Sequence, residues 1–117
     1  MTVVEQWHHI AKSRDLAALD AILDEGAVFE SPVVHTPQVG KAITFKYLAG
    51  ALSVLNNDSF HYLNEWHAER SAVLEFATDI DGIRINGVDL ISWNEAGKIT
   101  HFKVCLLYTS PSPRDQR

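Results

Sequence analysis

The second half of the chain carries the pattern that most restricts its fold. From residue 60 to residue 104, apolar and polar side chains alternate in four successive runs, with turn signals at Asp81-Gly82 and at residues 95–97. Alternation with a period of two is typical of β-strands that bury one face, and short turns between such strands make hairpins. The sequence therefore predicts an antiparallel meander in this region.

The first half of the chain predicts helices. Thr2 and Glu5 have the spacing of a capping box, and apolar residues then recur at helical intervals, so we expect a first helix over residues 3–13. Asp15 is placed to cap a second helix, which we expect to end at Gly26 because glycine favours helix C-termini.

A short strand, a loop and a third helix are expected next. The segment "AVFESP" predicts a short strand ending at Pro32, and the proline and glycine of "VVHTPQVG" predict a loop. Apolar residues at helical spacing predict a helix from residue 41 to residue 55. Helices followed by a meander indicate one α+β domain, with the helices packed on one side of a curved, mostly antiparallel sheet.

Charge and composition exclude several classes of function. The chain has 117 residues, a net charge of −5 and no run of Lys or Arg, so a nucleic-acid or anionic-membrane surface is not expected. No apolar stretch reaches the length of a membrane span, and the N-terminus shows no signal pattern. One cysteine allows neither a disulfide framework nor a cysteine-based zinc site. We therefore expect a cytoplasmic protein that uses no cofactor.

Asp89 is the most informative single residue, because it interrupts an apolar strand face. In the strand over residues 83–94, odd positions carry Ile, Gly and Trp around Asp89, while even positions are more polar but include Val88 and Leu90. If the odd face lines the interior, burial raises the pKa of the carboxyl and leaves an acid that can donate a hydrogen bond near neutral pH. If Asp89 instead faces water or pairs with a strand neighbour, it is an ordinary carboxylate. The alternation alone leaves both orientations open.

The order of the elements resembles that of the nuclear-transport-factor-2-like superfamily, and within it the SnoaL-like domains and the ketosteroid isomerases. The resemblance rests on two helices, a short strand ending in "ESP", a third helix and a meander containing "GVDLISWNEAGKI", and it covers residues 3–104. It implies a cystatin-like cone whose helices and curved sheet enclose an apolar pocket. It also implies a homodimer.

The resemblance further assigns roles to single positions. Ketosteroid isomerases have an Asp that donates a hydrogen bond to the substrate oxyanion and is kept neutral by an apolar site, and Asp89 in "VDLISWNEAGK" matches it. Their general base precedes the proline that ends the first strand, where this chain has Ser31. Trp7 stands at the position of their oxyanion tyrosine. SnoaL-like enzymes likewise use an Asp in this strand as acid or base, assisted by a pocket histidine, for which His35 is the candidate here.

The candidate catalytic residues are therefore Asp89 and His35. A histidine titrates near neutrality, which suits proton transfer, whereas a solvated loop histidine is the ordinary alternative. His61, Glu65 and His67 share one face of a predicted strand, but that face is expected to be the outer one, so no metal site is predicted. The candidate pocket residues, which are also ordinary core positions, are Trp7, Phe29, Ser31, Tyr47, Trp66, Ile91 and Trp93.

The C-terminal segment "CLLYTSPSPRDQR" breaks the strand pattern and resembles a translated sequencing adapter. We therefore expect the domain to comprise residues 1–104 and residues 105–117 to be a non-native tail. A genuine disordered tail is the alternative, since Ser-Pro repeats are common in linkers. In either case, Leu106, Leu107 and Tyr108 have the propensity to extend the last strand.

Two functions fit these residues. The first is a pocket domain that binds a small apolar metabolite, a carbonyl compound being one candidate, and catalyses cofactor-free proton transfer such as isomerisation, cyclisation or epoxide opening through Asp89. The second is a non-catalytic ligand-binding or dimerising interaction domain. Ser31 and Trp7, which replace catalytic groups of the ketosteroid isomerases, favour the second.

Overall fold

The computed structural model describes residues 1–111, which form three helices and a single six-stranded sheet. In chain order the elements are α1 (Val3–Ser13), α2 (Leu16–Ile22), β1 (Leu23–Ser31), β2 (Val34–Val39), α3 (Lys41–Leu55), β3 (His61–His67), β4 (Ser71–Ile80), β5 (Ile83–Trp93) and β6 (Ile99–Pro111). The strand order is β2-β1-β6-β5-β4-β3; β1 and β6 are parallel, and every other neighbouring pair is antiparallel. The predicted α+β class with helices on a mostly antiparallel sheet is therefore confirmed.

Helices α1 and α3 have the predicted bounds. At the start of α1 the Thr2 hydroxyl accepts a hydrogen bond from the Glu5 amide, and the Glu5 carboxylate accepts one from the Thr2 amide, which completes the capping box. The helix buries its apolar face, where Trp7 contacts Phe102 of β6 with ring centroids 4.7 Å apart. No helix in the described part of the chain is long and apolar enough to cross a membrane.

The second helix is shorter than predicted, because a strand replaces its last turn. Helix α2 ends at Ile22, and Leu23 is already extended, with φ −85° and ψ 134°. Leu23 pairs with Ile99 of β6, a partner far away in the sequence that local helix signals cannot reveal. Gly26 lies inside β1, where the register shifts between Leu23 and Val28, so this glycine marks an irregularity of the strand rather than a helix end.

The loop predicted from "VVHTPQVG" is a strand instead. Strand β2 pairs antiparallel with β1 and places Gln38 opposite Phe29. Because β2 lies at the edge of the sheet, Pro37 is tolerated there, whereas in an inner strand, paired on both sides, its missing N–H would cost a ladder hydrogen bond. The prediction from proline and glycine is therefore wrong, since an edge hairpin accepts the same residues as a loop.

Strand β5 turns its odd positions toward the interior. Gly87, Asp89 and Ile91 are buried, while Val88 and Leu90 between them are half-buried. The structure thus selects the orientation in which Asp89 lies among apolar side chains. Asp89 is 6 % exposed and is the one ionisable side chain among the buried residues of the described chain.

Residues 105–111 of the predicted tail continue β6. The register pairs Leu106 with Gly87, and the side chains of Leu106, Leu107 and Tyr108 are exposed. The extension expected from strand propensity is therefore present, although it adds little to the core. The rest of the predicted tail lies outside the described residues.

Candidate functional site

Asp89 lies in the middle of β5, two residues after a glycine that lets an aromatic ring approach the strand. Its cross-strand partners are Leu74 of β4 and Val104 of β6. At Gly87 a β-carbon would lie 2.6 Å from the Phe76 Cζ, so the absence of a side chain leaves room for that ring. Phe76 and Asp89 consequently line the same small cavity, and hydrocarbon surrounds the carboxyl group.

A chain of hydrogen bonds joins α1, β3 and β5 at this carboxyl group. The Tyr62 hydroxyl donates to the Asp89 Oδ2 at 2.6 Å, and the Trp7 indole N–H donates to the Tyr62 hydroxyl oxygen at 2.9 Å. Within residues 1–111, every buried side-chain nitrogen and oxygen has a hydrogen-bond partner. Because the Tyr62 hydroxyl both accepts and donates, its orientation is fixed from two sides.

Burial dominates the electrostatics of this chain of hydrogen bonds. Desolvation raises the pKa of Asp89 from 3.8 to about 7, against the opposing effect of the Tyr62 hydrogen bond, which favours the carboxylate. Burial also raises the pKa of Tyr62 well above its ordinary value of 10.0, and the adjacent Asp89 raises it further. Near neutral pH, Tyr62 therefore keeps its proton while Asp89 exchanges between acid and carboxylate. A carboxyl group in this range can act as an acid or as a base.

A small inner cavity adjoins the Asp89 carboxyl group. Its volume is about 20 Å³, which is room for about one water molecule. Most of the wall is apolar and comes from α1, α3 and the inner face of the sheet, with Leu48, Leu52 and Phe102 among its side chains. A polar group that enters this cavity therefore has Asp89 and Tyr62 as its main hydrogen-bonding partners.

A larger outer cavity of about 400 Å³ opens to the surface beside the start of β3. Three residues line both the outer and the inner cavity, namely Asn56, Phe60 and Tyr62, and we call them the shared wall. The Asn56 side-chain amide donates to the Ala11 carbonyl oxygen at 2.8 Å, which ties the end of α3 to the last turn of α1 beside this wall. The shared wall therefore lies between the cavity beside Asp89 and a space of ligand size.

Most of the predicted pocket residues belong to the core instead of lining the inner cavity. Trp7 does line it, next to the candidate acid. Phe29 stacks on Tyr47 with ring centroids 5.5 Å apart, and Ile91 is fully buried two positions after the acid. Trp93 is partly buried against the same core. Unlike Trp7, the other four side chains support the fold around the site without lining the inner cavity.

Trp66 is 56 % exposed and does not face the interior, which corrects its prediction as a pocket residue. A register shift between Tyr62 and Asn64 interrupts the alternation along β3. Before the shift, Tyr62 lies opposite the inward-facing Phe76; after it, Trp66 lies opposite Val73, on the other face of β4. A β-bulge of this kind reverses every later side chain of a strand, and regular alternation cannot reveal it.

Ser31 and His35 line a separate surface cleft of about 420 Å³ beside β1, β2 and β6. His35 is exposed on the edge strand, and the Ser31 hydroxyl oxygen accepts a hydrogen bond from the Val33 amide. Neither residue lines the inner cavity. The structure therefore does not bring the predicted histidine to Asp89, because the segment that carries it is an edge strand rather than a loop over the pocket.

Within residues 1–111, no group of three His, Cys, Asp or Glu side chains is arranged to hold a metal ion. The Glu65 carboxylate bonds His67 at 2.8 Å and also bonds His8 of α1. The bulge in β3 brings Glu65 to the side of the helix, so this group joins α1 to the edge of the sheet.

Tyr62 is the site residue that sequence reasoning does not identify. An aromatic side chain on an apolar strand face is ordinarily a core residue, and nothing in the alternation separates Tyr62 from Phe60. The available signal is its hydroxyl, because a buried phenol requires a hydrogen-bond partner and Asp89 is the one buried carboxyl group of the described residues.

Comparisons with known proteins agree with this architecture. A family model described as a SnoaL-like domain matches residues 4–102. A steroid delta-isomerase from Pseudomonas aeruginosa is 32% identical to this chain; the match covers 93% of this chain and 77% of that one, with a TM-score of 0.82. The comparison with curated proteins found no match.

Two more distant structures share the fold. A protein with a cystatin-like fold from Silicibacter pomeroyi is 24% identical, over 93% of this chain and 74% of that one, with a TM-score of 0.80. SalBIII, an epoxide hydrolase/cyclase-like enzyme with a role in pyran ring formation in the polyether salinomycin, is 17% identical, over 93% of this chain and 92% of that one, with a TM-score of 0.74.

Proposed function

We propose that this chain, which belongs to the SnoaL-like domain family, binds a small apolar carbonyl compound and transfers a proton to or from it through Asp89. The observation that carries the proposal is a buried carboxyl group with a pKa of about 7 that adjoins a cavity. A neutral acid in an apolar site donates a strong hydrogen bond to a carbonyl oxygen. No cofactor is needed for such a step.

The hydrogen-bond chain supports both protonation states that proton transfer requires. In its acid form, Asp89 donates its O–H to a carbonyl oxygen in the inner cavity. Once the proton has been transferred, Tyr62 stabilises the resulting carboxylate by donating its hydroxyl proton at 2.6 Å. The Trp7 indole N–H holds the Tyr62 oxygen at 2.9 Å, so the donor need not reorganise between the two states.

The similar structures support this class of reaction in a general way. One is described as a steroid delta-isomerase and another as an epoxide hydrolase/cyclase-like enzyme, and proton transfer is part of both kinds of chemistry. Ser31, which stands at the position of the isomerase base, lies in the separate cleft and has no carboxyl group. Steroid isomerisation with a carboxylate base at that position is therefore not part of the proposal.

A non-catalytic binding domain is the second candidate function, and the size of the inner cavity favours it. A volume of about 20 Å³ cannot hold a metabolite unless the shared wall moves. In a binding domain, the ligand would remain in the outer cavity and Asp89 would only hold Tyr62 in place.

A small neutral ketone such as phenylacetone separates these candidates. If Asp89 donates to the ketone, binding weakens by about tenfold from about pH 6 to about pH 8 as the acid form is lost, and this pH dependence disappears in Asp89→Asn. In its carboxylate form, Asp89 also removes an α-proton of the ketone, and the C–H electron pair passes into the enolate. Return of a deuteron from the exchanged Asp89 carboxyl group restores the ketone, so the protein accelerates exchange of the α-hydrogens in D₂O, which NMR measures directly. Asp81→Asn is the matched control, because Asp81 is an exposed turn residue with φ 51°, a conformation that asparagine tolerates.

Three outcomes are informative. Exchange that is lost in Asp89→Asn and kept in Asp81→Asn supports catalysis by Asp89. Binding without exchange supports the non-catalytic domain. Equal ketone binding and equal exchange in the wild type and Asp89→Asn contradict the proposed function.

A further inference from the structure

We propose that the outer cavity is the entrance to Asp89 and that Lys12 and Arg14 hold an anionic group of the substrate there. The substrate is then a carbonyl compound with two different ends. One end is apolar apart from its carbonyl group and reaches the inner cavity, and the other end carries a carboxylate. This inference rests on the proposed function, because it assigns a substrate class to the same site. The first observation is the shared wall, whose residues are the ones that line both cavities among residues 1–111.

The size and position of the outer cavity fit an entrance. Its volume of about 400 Å³ lies in the range of small-molecule sites, whereas the inner cavity holds about one water. Phe60 and Tyr62 of the wall contact each other edge to face, with ring centroids 5.1 Å apart. The hydrogen bonds of Tyr62 to Trp7 and Asp89 fix its orientation, so rotation of Phe60 is the movement that would join the two cavities and open the inner one to a ligand. A ligand of metabolite size therefore has room only if part of it stays in the outer cavity.

The charge of the outer cavity contrasts with the charge of the chain. The net charge of the protein is −5, yet the cavity is lined by Lys12 and Arg14 with Asp58 as its one carboxylate. Within residues 1–111, neither cation has a carboxylate at ion-pairing distance, whereas Arg70 and Arg84 each have one and Lys41 has two. Two unpaired cations at one cavity favour an anionic ligand group.

A hydrogen bond also holds the Arg14 side chain beside the outer cavity. Arg14 adopts φ 56° at the end of α1, and its guanidinium donates to the Asn56 carbonyl oxygen at 2.8 Å. Arginine has five N–H donors, so most of them are left for a ligand after this single bond. Cations at the end of a helix also complement its dipole, but that role does not require the guanidinium to lie beside the shared wall.

Two matched probes test the inference: 4-oxo-4-phenylbutanoate, which carries a ketone and a carboxylate, and its methyl ester, which lacks the charge. At low salt we expect the wild type to bind the acid about tenfold more tightly than the ester, since two exposed charge pairs each contribute a few-fold. Lys12→Gln lowers this preference several-fold, because the acid loses one of its two charge pairs. Lys46→Gln is the control, because Lys46 is an exposed residue of α3 that lines neither cavity.

The second variant is Lys12→Glu, which is preferred to a substitution of Arg14 because it is not expected to disturb folding. Arg14→Gln removes a bond to the end of α3 and so affects folding as well as binding, whereas Lys12 is exposed and makes no such bond. Lys12→Glu should therefore abolish the preference for the acid in a folded protein, because the new repulsion offsets the attraction of Arg14, and circular dichroism verifies the fold. Added salt should reduce the preference of the wild type and have little effect on the ester.

The outcomes separate this inference from the proposed function. Equal binding of acid and ester by the wild type overturns the inference, and so does a loss of the preference for the acid in Lys46→Gln that equals the loss in Lys12→Gln. In either case, ester binding that depends on Asp89 still supports the function. A carboxylate preference that depends on Lys12, together with ester binding that is indifferent to Asp89→Asn, supports the anionic site and contradicts the function. Failure of both probes to bind at millimolar concentration contradicts both.

Discussion

Asp89 and Glu75 show how the two faces of one sheet give the same chemical group opposite properties. Glu75 lies on the outer face and accepts hydrogen bonds from the side-chain amides of Asn64 and Asn86 at 3.0 and 3.1 Å, which lower its pKa. Asp89 lies on the inner face, where desolvation outweighs its hydrogen bond from Tyr62 and raises its pKa to about 7. Hydration and the number of donors, rather than residue type, decide which carboxyl group can hold a proton at neutral pH.

At the scale of single elements, the close approach of β4 and β5 positions the acid. The Phe76 ring lies against Gly87, where a β-carbon would meet the ring at 2.6 Å and the Cys105 carbonyl oxygen at 2.8 Å. The register of β5 also shifts against β6 between Asn86 and Gly87. Since Asp89 follows two residues later on the same face, this contact determines how closely hydrocarbon surrounds its carboxyl group.

We expect Gly87→Ala to destabilise the protein by about 1 to 3 kcal/mol, because the added methyl overpacks the contact between β4 and β5. Gly50→Ala is the matched control, since a β-carbon at this position in α3 meets no atom within 4 Å. Alanine in a helix interior should stabilise the protein by about 0.5 to 1 kcal/mol. Urea denaturation measures both effects, and equal effects of the two substitutions would contradict this role of Gly87.

Local signals predicted the elements that depend on local contacts and missed those that depend on distant ones. The bounds of α1 follow from its capping box and helical periodicity, which involve residues a few positions apart. The end of α2 depends on the pairing of Leu23 with Ile99, and β2 exists because β1 offers it an edge. The exposure of Trp66 depends on a bulge that no local pattern marks. Asp89 could be selected as a candidate because it interrupts an apolar face, but its partner Tyr62 required the three-dimensional structure.

At the scale of the whole molecule, a buried acid links folding to pH. The pKa of Asp89 is about 7 in the folded protein and 3.8 as its ordinary value. At a pH below 3.8, Asp89 is protonated in both the folded and the unfolded protein, and the contribution of the neutral acid to stability is fully present. As pH rises above 3.8, the unfolded state releases the proton that the folded state retains, so stability falls until pH passes about 7.

The expected loss approaches about 1.4 kcal/mol for each pH unit in the middle of that interval and levels off near pH 7, which gives about 2 kcal/mol between about pH 5 and about pH 7. Asp89→Asn should lack this component, so the difference in free energy of unfolding between variant and wild type should grow in favour of the variant as pH rises. Urea denaturation at the two pH values measures it, with Asp81→Asn as a matched carboxyl control. A difference that stays constant with pH would contradict the linkage.

The central claim is that Asp89 is a buried acid that stays largely protonated up to neutral pH, and an NMR titration of its carboxyl carbon tests this most directly. Asp89→Asn assigns the signal. We predict a pKa of about 7 in the wild type and a higher pKa in Tyr62→Phe, because that variant removes the hydrogen bond that favours the carboxylate. A wild-type pKa of about 4, the value of a solvated aspartate, would contradict the account.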